Sequence, residues 1–111
     1  MNAISTRSQA LALMKEVRKR LEAIYGPRLR GVYLFGSFAR DEADADSDTD
    51  VAIVLSGTFR SWDERKRLSD MVGELCAREG VLLNLAFLTE REFTERPYAI
   101  HRSIAREGIP V

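Results

Sequence analysis

Two groups of residues in this chain have the types and spacing for phosphate and metal chemistry. Gly36-Ser37 ends an apolar run (Val32, Tyr33, Leu34, Phe35), and Asp48-Thr49-Asp50, ten residues on, opens another (Val51, Ala52, Ile53, Val54, Leu55). If Phe35 closes a strand and Phe38 opens a helical turn, the amides between them point outward unpaired. They then form an anion site, assisted by the Ser37 hydroxyl. Gly36 allows close approach of a phosphate to the backbone. A lone Gly-Ser pair is usually only a turn; the aspartates sharpen it. Residues two apart on an extended strand share a side, so Asp48 and Asp50 can face one point. Two ionised carboxylates with nothing basic beside them favour a cation between them, and carboxylate plus phosphate is the usual setting for Mg²⁺.

Other phosphate and metal motifs fail on spacing. An EF-hand loop needs Gly at its sixth position and Glu at its twelfth. Counting from Asp44 these are Thr49 and Leu55, and from Asp46 they are Val51 and Gly57. Neither G-x-x-x-x-G-K-[ST] nor G-x-G-x-x-G occurs. Six acids fall between positions 41 and 50; of these Asp41, Glu42, Asp44 and Asp46 read as loop solvation.

The elements that must position these residues follow from periodicity. Leu11, Met14, Val17, Leu21 and Ile24, widened by Ala10 and Leu13, form a helical stripe, capped by Ser5 or Ser8 and stopped by Gly26-Pro27. Leu29 to Phe35 is a strand, Phe38 to Glu42 one short helical turn, and Thr49 to Leu55 a central strand apolar on both faces. Ser61-Trp62-Asp63-Glu64 has capping-box spacing, opening a helix whose stripe is Leu68, Met71, Val72, Leu75 and Cys76. Val81 to Leu88 is the third strand, with Asn84 on the face opposite Leu83, Leu85 and Phe87. Thr89 to Glu92 is a second capping box, Pro97 limits its helix, and Tyr98 to Arg106 forms a last helix or turn. His101 and the cluster Arg18-Lys19-Arg20 read as surface. The whole is a small α/β (α+β) domain: a mixed sheet with helices mainly on one face.

Composition bounds the function. The chain has 111 residues, 45% of them hydrophobic, which suits one domain over 1–111. Seventeen basic and seventeen acidic residues cancel, so bulk charge gives no argument for nucleic acid or a membrane surface. One cysteine excludes an internal disulfide and fits a reducing cytoplasm. No apolar run approaches a membrane span, and the N-terminal stretch lacks a signal-peptide pattern.

Gly36-Ser37-Phe38-Ala39-Arg40 with Ser47-Asp48-Thr49-Asp50-Val51 resembles the signature of the nucleotidyltransferase superfamily related to DNA polymerase beta, in particular its minimal nucleotidyltransferases. The resemblance implies the nucleotidyltransferase fold. It implies that Gly36 and Ser37 bind the triphosphate of ATP, and that Asp48 and Asp50 hold two Mg²⁺ ions for nucleotidyl transfer with release of pyrophosphate. Arg40 stands where the family often has arginine, as a phosphate contact or a helix-surface residue. Asp41 replaces a glycine common in the family. Asn84 stands where active members usually carry a third carboxylate; it can offer an oxygen but cannot act as a base near neutral pH. Minimal members are typically paired with HEPN-domain proteins in toxin–antitoxin modules, where the nucleotidyltransferase is the antitoxin and adenylylates a tyrosine of the toxin. Three functions follow as expectations: protein adenylyltransferase, a weak or inactive protein that neutralises its partner by binding, and a small-molecule nucleotidyltransferase.

Overall fold

The computed structural model describes residues 4–111; the part of the N-terminal reading that rests on residues 1–3 lies outside them. Helix α1 (Arg7–Tyr25) and a 3-10 turn (Gly26–Arg28) lead into β1 (Leu29–Phe35). A polar loop joins it to β2 (Thr49–Leu55), followed by α2 (Ser61–Arg67), α3 (Ser69–Glu79) and β3 (Leu83–Thr89). Helices α4 (Glu90–Glu95) and α5 (Ala99–Glu107) and a short β4 (Ile109–Pro110) complete the chain.

The sheet has the order β3-β2-β1-β4. β1 and β2 are antiparallel neighbours connected by the loop of residues 36–48, whereas β2 and β3 are parallel and are joined through α2 and α3. β2 is the central strand anticipated from its unbroken apolar run. Its alternation divides the molecule. Val51, Ile53 and Leu55 face the larger core with Val32, Leu34, Leu85 and Phe87, beneath Leu13, Met14, Val17 and Leu21 of α1 and Met71 and Leu75 of α3. Ala52 and Val54 face a smaller cluster with Leu88 and Ile104 of α5, flanked by Tyr33, Phe35 and Phe93. Tyr33 and Phe93 stack with ring centroids 4.8 Å apart. Most helical mass therefore lies on one face, with α4 and α5 on the second.

Several local expectations change. Thr6, not Ser5 or Ser8, caps α1, accepting from the Gln9 amide while the Gln9 side chain returns to the cap backbone. Ile24 is exposed and Tyr25 is buried, because the Tyr25 hydroxyl reaches inward to donate to the buried Glu64 carboxylate at 2.8 Å. The Ser61–Glu64 capping box does not form; Arg60 is the N-cap and offers no side-chain bond. The helix also breaks at Leu68 (φ −95, ψ 0), a fully buried side chain that anchors the junction of α2 and α3. The Thr89 box does form, with both reciprocal bonds present. His101 is 7% exposed rather than on the surface: it lies three residues before Ile104, on the same buried side of α5, with Nε2 3.7 Å from Glu92 Oε2. The residues after Gly108 form β4, which adds to β1 through Tyr33–Pro110 and Leu34–Ile109. Among the described residues, no helix is long and apolar enough to cross a membrane.

Candidate functional site

The site forms where β1 ends beside the start of β2. Phe35 pairs with Asp50, and Asp50 in turn pairs with Asn84 of β3. Thr49 points into the larger core, with its backbone N–H bonded to Leu82 O at 2.8 Å. Period-two alternation therefore sends Asp48 and Asp50 to the opposite side, where Asn84 also lies. Among the described residues, the fully buried Thr49 Oγ1 has no hydrogen-bond partner.

Gly36 turns the chain out of β1 with φ +75, a conformation suited to glycine. It also has to be small. A Cβ at this position would collide with Asp50 Oδ2 and stand 2.9 Å from its Cγ. The Gly-Ser turn is thus packed directly against one carboxylate of the D-x-D pair. Beyond it the expected short helix is a run of hydrogen-bonded turns: Arg40 N to Gly36 O at 3.1 Å, Asp41 N to Phe38 O at 3.2 Å and Glu42 N to Ser37 O at 2.9 Å. The helix is cut short because Asp41 adopts φ +61. That is a left-handed conformation glycine takes without strain, and aspartate is among the few other residues that tolerate it. Among the described residues, the Ser37 and Phe38 amides donate to no backbone carbonyl. Phe38 is buried in the larger core and fixes the turn from beneath.

Asn84 Nδ2 donates to Asp48 Oδ2 at 3.0 Å and to Asp50 Oδ1 at 3.2 Å. One neutral amide thus draws both carboxylates to one point. Burial pushes the Asp50 carboxyl above its ordinary value; the hydrogen bond from Asn84 opposes this, the Asp48 charge adds to it, and the Arg40 charge opposes it. Arg40 is engaged at the loop's edge, with Nη1 2.9 Å from Glu107 Oε2 and Nε 3.3 Å from Glu42 Oε1. Glu107, at the end of α5, is a site neighbour that sequence spacing could not reveal, since it lies 67 residues from Arg40.

Gly36, Ser37, Asp48, Asp50 and Asn84 therefore meet at one end of the sheet, and Arg40 borders them. Among the described residues, no cluster of three or more His, Cys, Asp or Glu side chains forms a metal cage by itself. The groups able to ligate a metal here are two carboxylates bridged by the Asn84 amide, beside a turn whose Ser37 and Phe38 amides donate to no backbone carbonyl among the described residues. This set fits a hard divalent cation that completes its shell with phosphate oxygens and water, as Mg²⁺ does. The missing Cβ of Gly36 leaves Asp50 room to lie beside the turn.

Residues 14–106 match the model of the nucleotidyltransferase domain. A Methanocaldococcus jannaschii protein, provisionally named a protein adenylyltransferase, is 29% identical over 96 residues, spanning 86% of this chain and 90% of that protein. A solved structure from Sulfolobus solfataricus, provisionally named a nucleotidyltransferase, superposes with a TM-score of 0.68 at 23% identity, covering 94% of this chain and 80% of that one. A Shewanella oneidensis complex of a tri-AMPylated HEPN toxin with an MNT antitoxin gives a TM-score of 0.53 at 18% identity, covering 89% and 69%. At these identities the structural likeness concerns the fold.

Proposed function

Because this chain belongs to the nucleotidyltransferase domain family, we propose that it transfers AMP from ATP to a hydroxyl of a partner protein. The partner is a HEPN-domain toxin, the acceptor a tyrosine, and this chain the antitoxin of a cytoplasmic pair. The observation that carries the reading is the packing of Gly36 against Asp50, which sets a phosphate-binding turn and a carboxylate pair side by side. The adenylyltransferase name of a relative and the AMPylated toxin in a structural neighbour support the choice of reaction and partner.

The Ser37 and Phe38 amides and the Ser37 hydroxyl hold the triphosphate. Asp48 and Asp50 hold Mg²⁺, with Asn84 at their side. When bound, the metal neutralises charge on the α-phosphate and organises attack upon it. The acceptor oxygen forms a bond to the α-phosphorus, the α–β phosphoanhydride bond breaks, pyrophosphate leaves, and the acceptor proton passes to solvent. Asn84 cannot take that proton near neutral pH. A tyrosine acceptor, more acidic than serine or threonine, suits a site without a third carboxylate.

Incubation with labelled ATP, Mg²⁺ and the cognate partner labels the partner on this reading. Equal labelling by wild type and the Asp48→Asn/Asp50→Asn double variant would overturn it. The amide at position 84 favours one other reading: a chain that neutralises its partner by binding alone. That reading requires neutralisation to survive the double substitution.

A further inference from the structure

Asn84 does more than occupy a position at which it cannot act as a base. Its side chain is exposed, yet a single nitrogen reaches the carboxylates on either side of Thr49, one just before β2 and one within it. Ionised carboxylates only accept hydrogen bonds, so the amide must present its N–H₂ group to them rather than its oxygen. The two oxygens it engages, Asp48 Oδ2 and Asp50 Oδ1, are drawn to the same nitrogen. The other Asp50 oxygen, Oδ2, lies on the Gly36 side. The atoms best placed to share a cation are therefore those already shared by the amide.

We propose that Asn84 is a latch on the metal site: by bridging Asp48 and Asp50 it competes with a divalent cation for the same oxygens. The proposal rests on the reading that Asp48 and Asp50 bind a divalent cation, and adds what sets the affinity of that binding. The amide relieves the repulsion between two adjacent carboxylates without supplying a charge. A cation entering between them displaces two charge-assisted hydrogen bonds, an opposing cost that an empty carboxylate pair would not impose. Exposure of Asn84 lets the side chain swing aside by ordinary rotamer motion, so the latch slows nothing and acts through affinity. Register keeps it in place, since the β2–β3 pairing sets Asn84 directly opposite Asp50.

A ligand and a latch at position 84 predict opposite signs. Removing a ligand weakens metal binding, whereas removing a latch tightens it. The test is titration of the whole chain with Mn²⁺, without nucleotide, following unbound metal by electron paramagnetic resonance. The proteins are wild type, Asn84→Ala and Asp48→Asn/Asp50→Asn, with circular dichroism confirming that each is folded. The expected result is Mn²⁺ binding about threefold to tenfold tighter in N84A than in wild type, and abolished in the double aspartate variant. Binding that is unchanged or weaker in N84A, but still lost in the double variant, overturns the latch and leaves the metal-site reading standing. Binding unaffected by the aspartate substitutions overturns both, as does the absence of binding in all three proteins. A second readout uses wild type alone. The Asn84 side-chain amide signals should move on Mg²⁺ addition as their carboxylate bonds are released, and signals that stay fixed at saturating Mg²⁺ would count against displacement.

Discussion

Gly36 and Asp50 share one volume: the Cβ that Gly36 lacks would overlap Asp50 Oδ2. The side chain there would meet a carboxylate that the Asn84 amide also engages, and φ +75 disfavours it further. Gly36→Ala should cost about 1–2 kcal/mol of stability from the left-handed backbone alone. It should also lower AMP transfer about 100-fold by displacing Asp50, because misplacement by about 1 Å has effects of that order. Thermal melts and initial rates of label transfer check the two effects separately.

Asp50 makes stability depend on pH in a direction opposite to most carboxylates. Burial and the Asp48 charge raise its folded-state value, outweighing the help of Asn84 and Arg40. The folded chain therefore holds the Asp50 proton more tightly than the unfolded chain does. The stabilisation this gives is complete below the ordinary carboxylate range, about pH 3.9, and is lost as pH rises through the raised value. Asp50→Asn should melt above wild type at neutral pH in chelator-treated buffer, with the difference closing under acid. An advantage that grows with acidity would contradict this.

Arg40 acts on Asp50 through its charge, and Glu107 holds Arg40 by an ion pair 2.9 Å long. In Arg40→Ala the acid limb of the kcat/KM profile should move to higher pH, because a charge favouring the Asp50 carboxylate is gone. Glu107→Gln retains the guanidinium and should move that limb less. Profiles of the two variants measured beside wild type decide the point.

Tyr25 and Glu64 form a bond between α1 and α2 that is buried at both ends. Tyr25→Phe removes one of two groups satisfying Glu64, the other being Arg67 at 3.0 Å. The expected loss is about 1–3 kcal/mol. For a domain of this size each kilocalorie corresponds to about 4–8 °C in Tm. Calorimetry should show the loss without a change in metal affinity.

Asp41 occupies a left-handed conformation, φ +61. Asp41→Gly should raise stability by about 0.5–1 kcal/mol, the relief of strain exceeding glycine's added freedom in the unfolded chain. Denaturant midpoints measure it. A decrease would mean that the aspartate side chain stabilises the turn more than its backbone strains it.

Much of this architecture was legible from sequence because it rests on strong local signals. The bounds of β1 and β2 follow from apolar runs cut by Gly36 and Asp48, and β2's central position from apolarity on both faces. The juxtaposition of Gly36 with Asp50 and of Asn84 with both aspartates follows from period-two alternation once neighbouring strands pair. What escaped depends on long-range packing. The serine at position 61 had capping-box spacing, but backbone geometry made Arg60 the cap. His101 looked polar and solitary, yet α5 turns it inward beside Ile104. β4 is only Ile109–Pro110, too short for any periodicity, and exists because β1 offers it an edge. Glu107 carried no local sign of its bond to Arg40.

That last bond has a consequence for the order in which the molecule is assembled. Its partners lie 67 residues apart, and synthesis proceeds from the N-terminus. On a ribosome, β1, β2 and the loop between them emerge well before α5. Phe38 can seat the turn once the larger core forms, but the ion pair from Arg40 arrives only when the end of α5 has been made and packed. The charge beside Asp50 is therefore the late-fixed part of a loop whose backbone is set earlier.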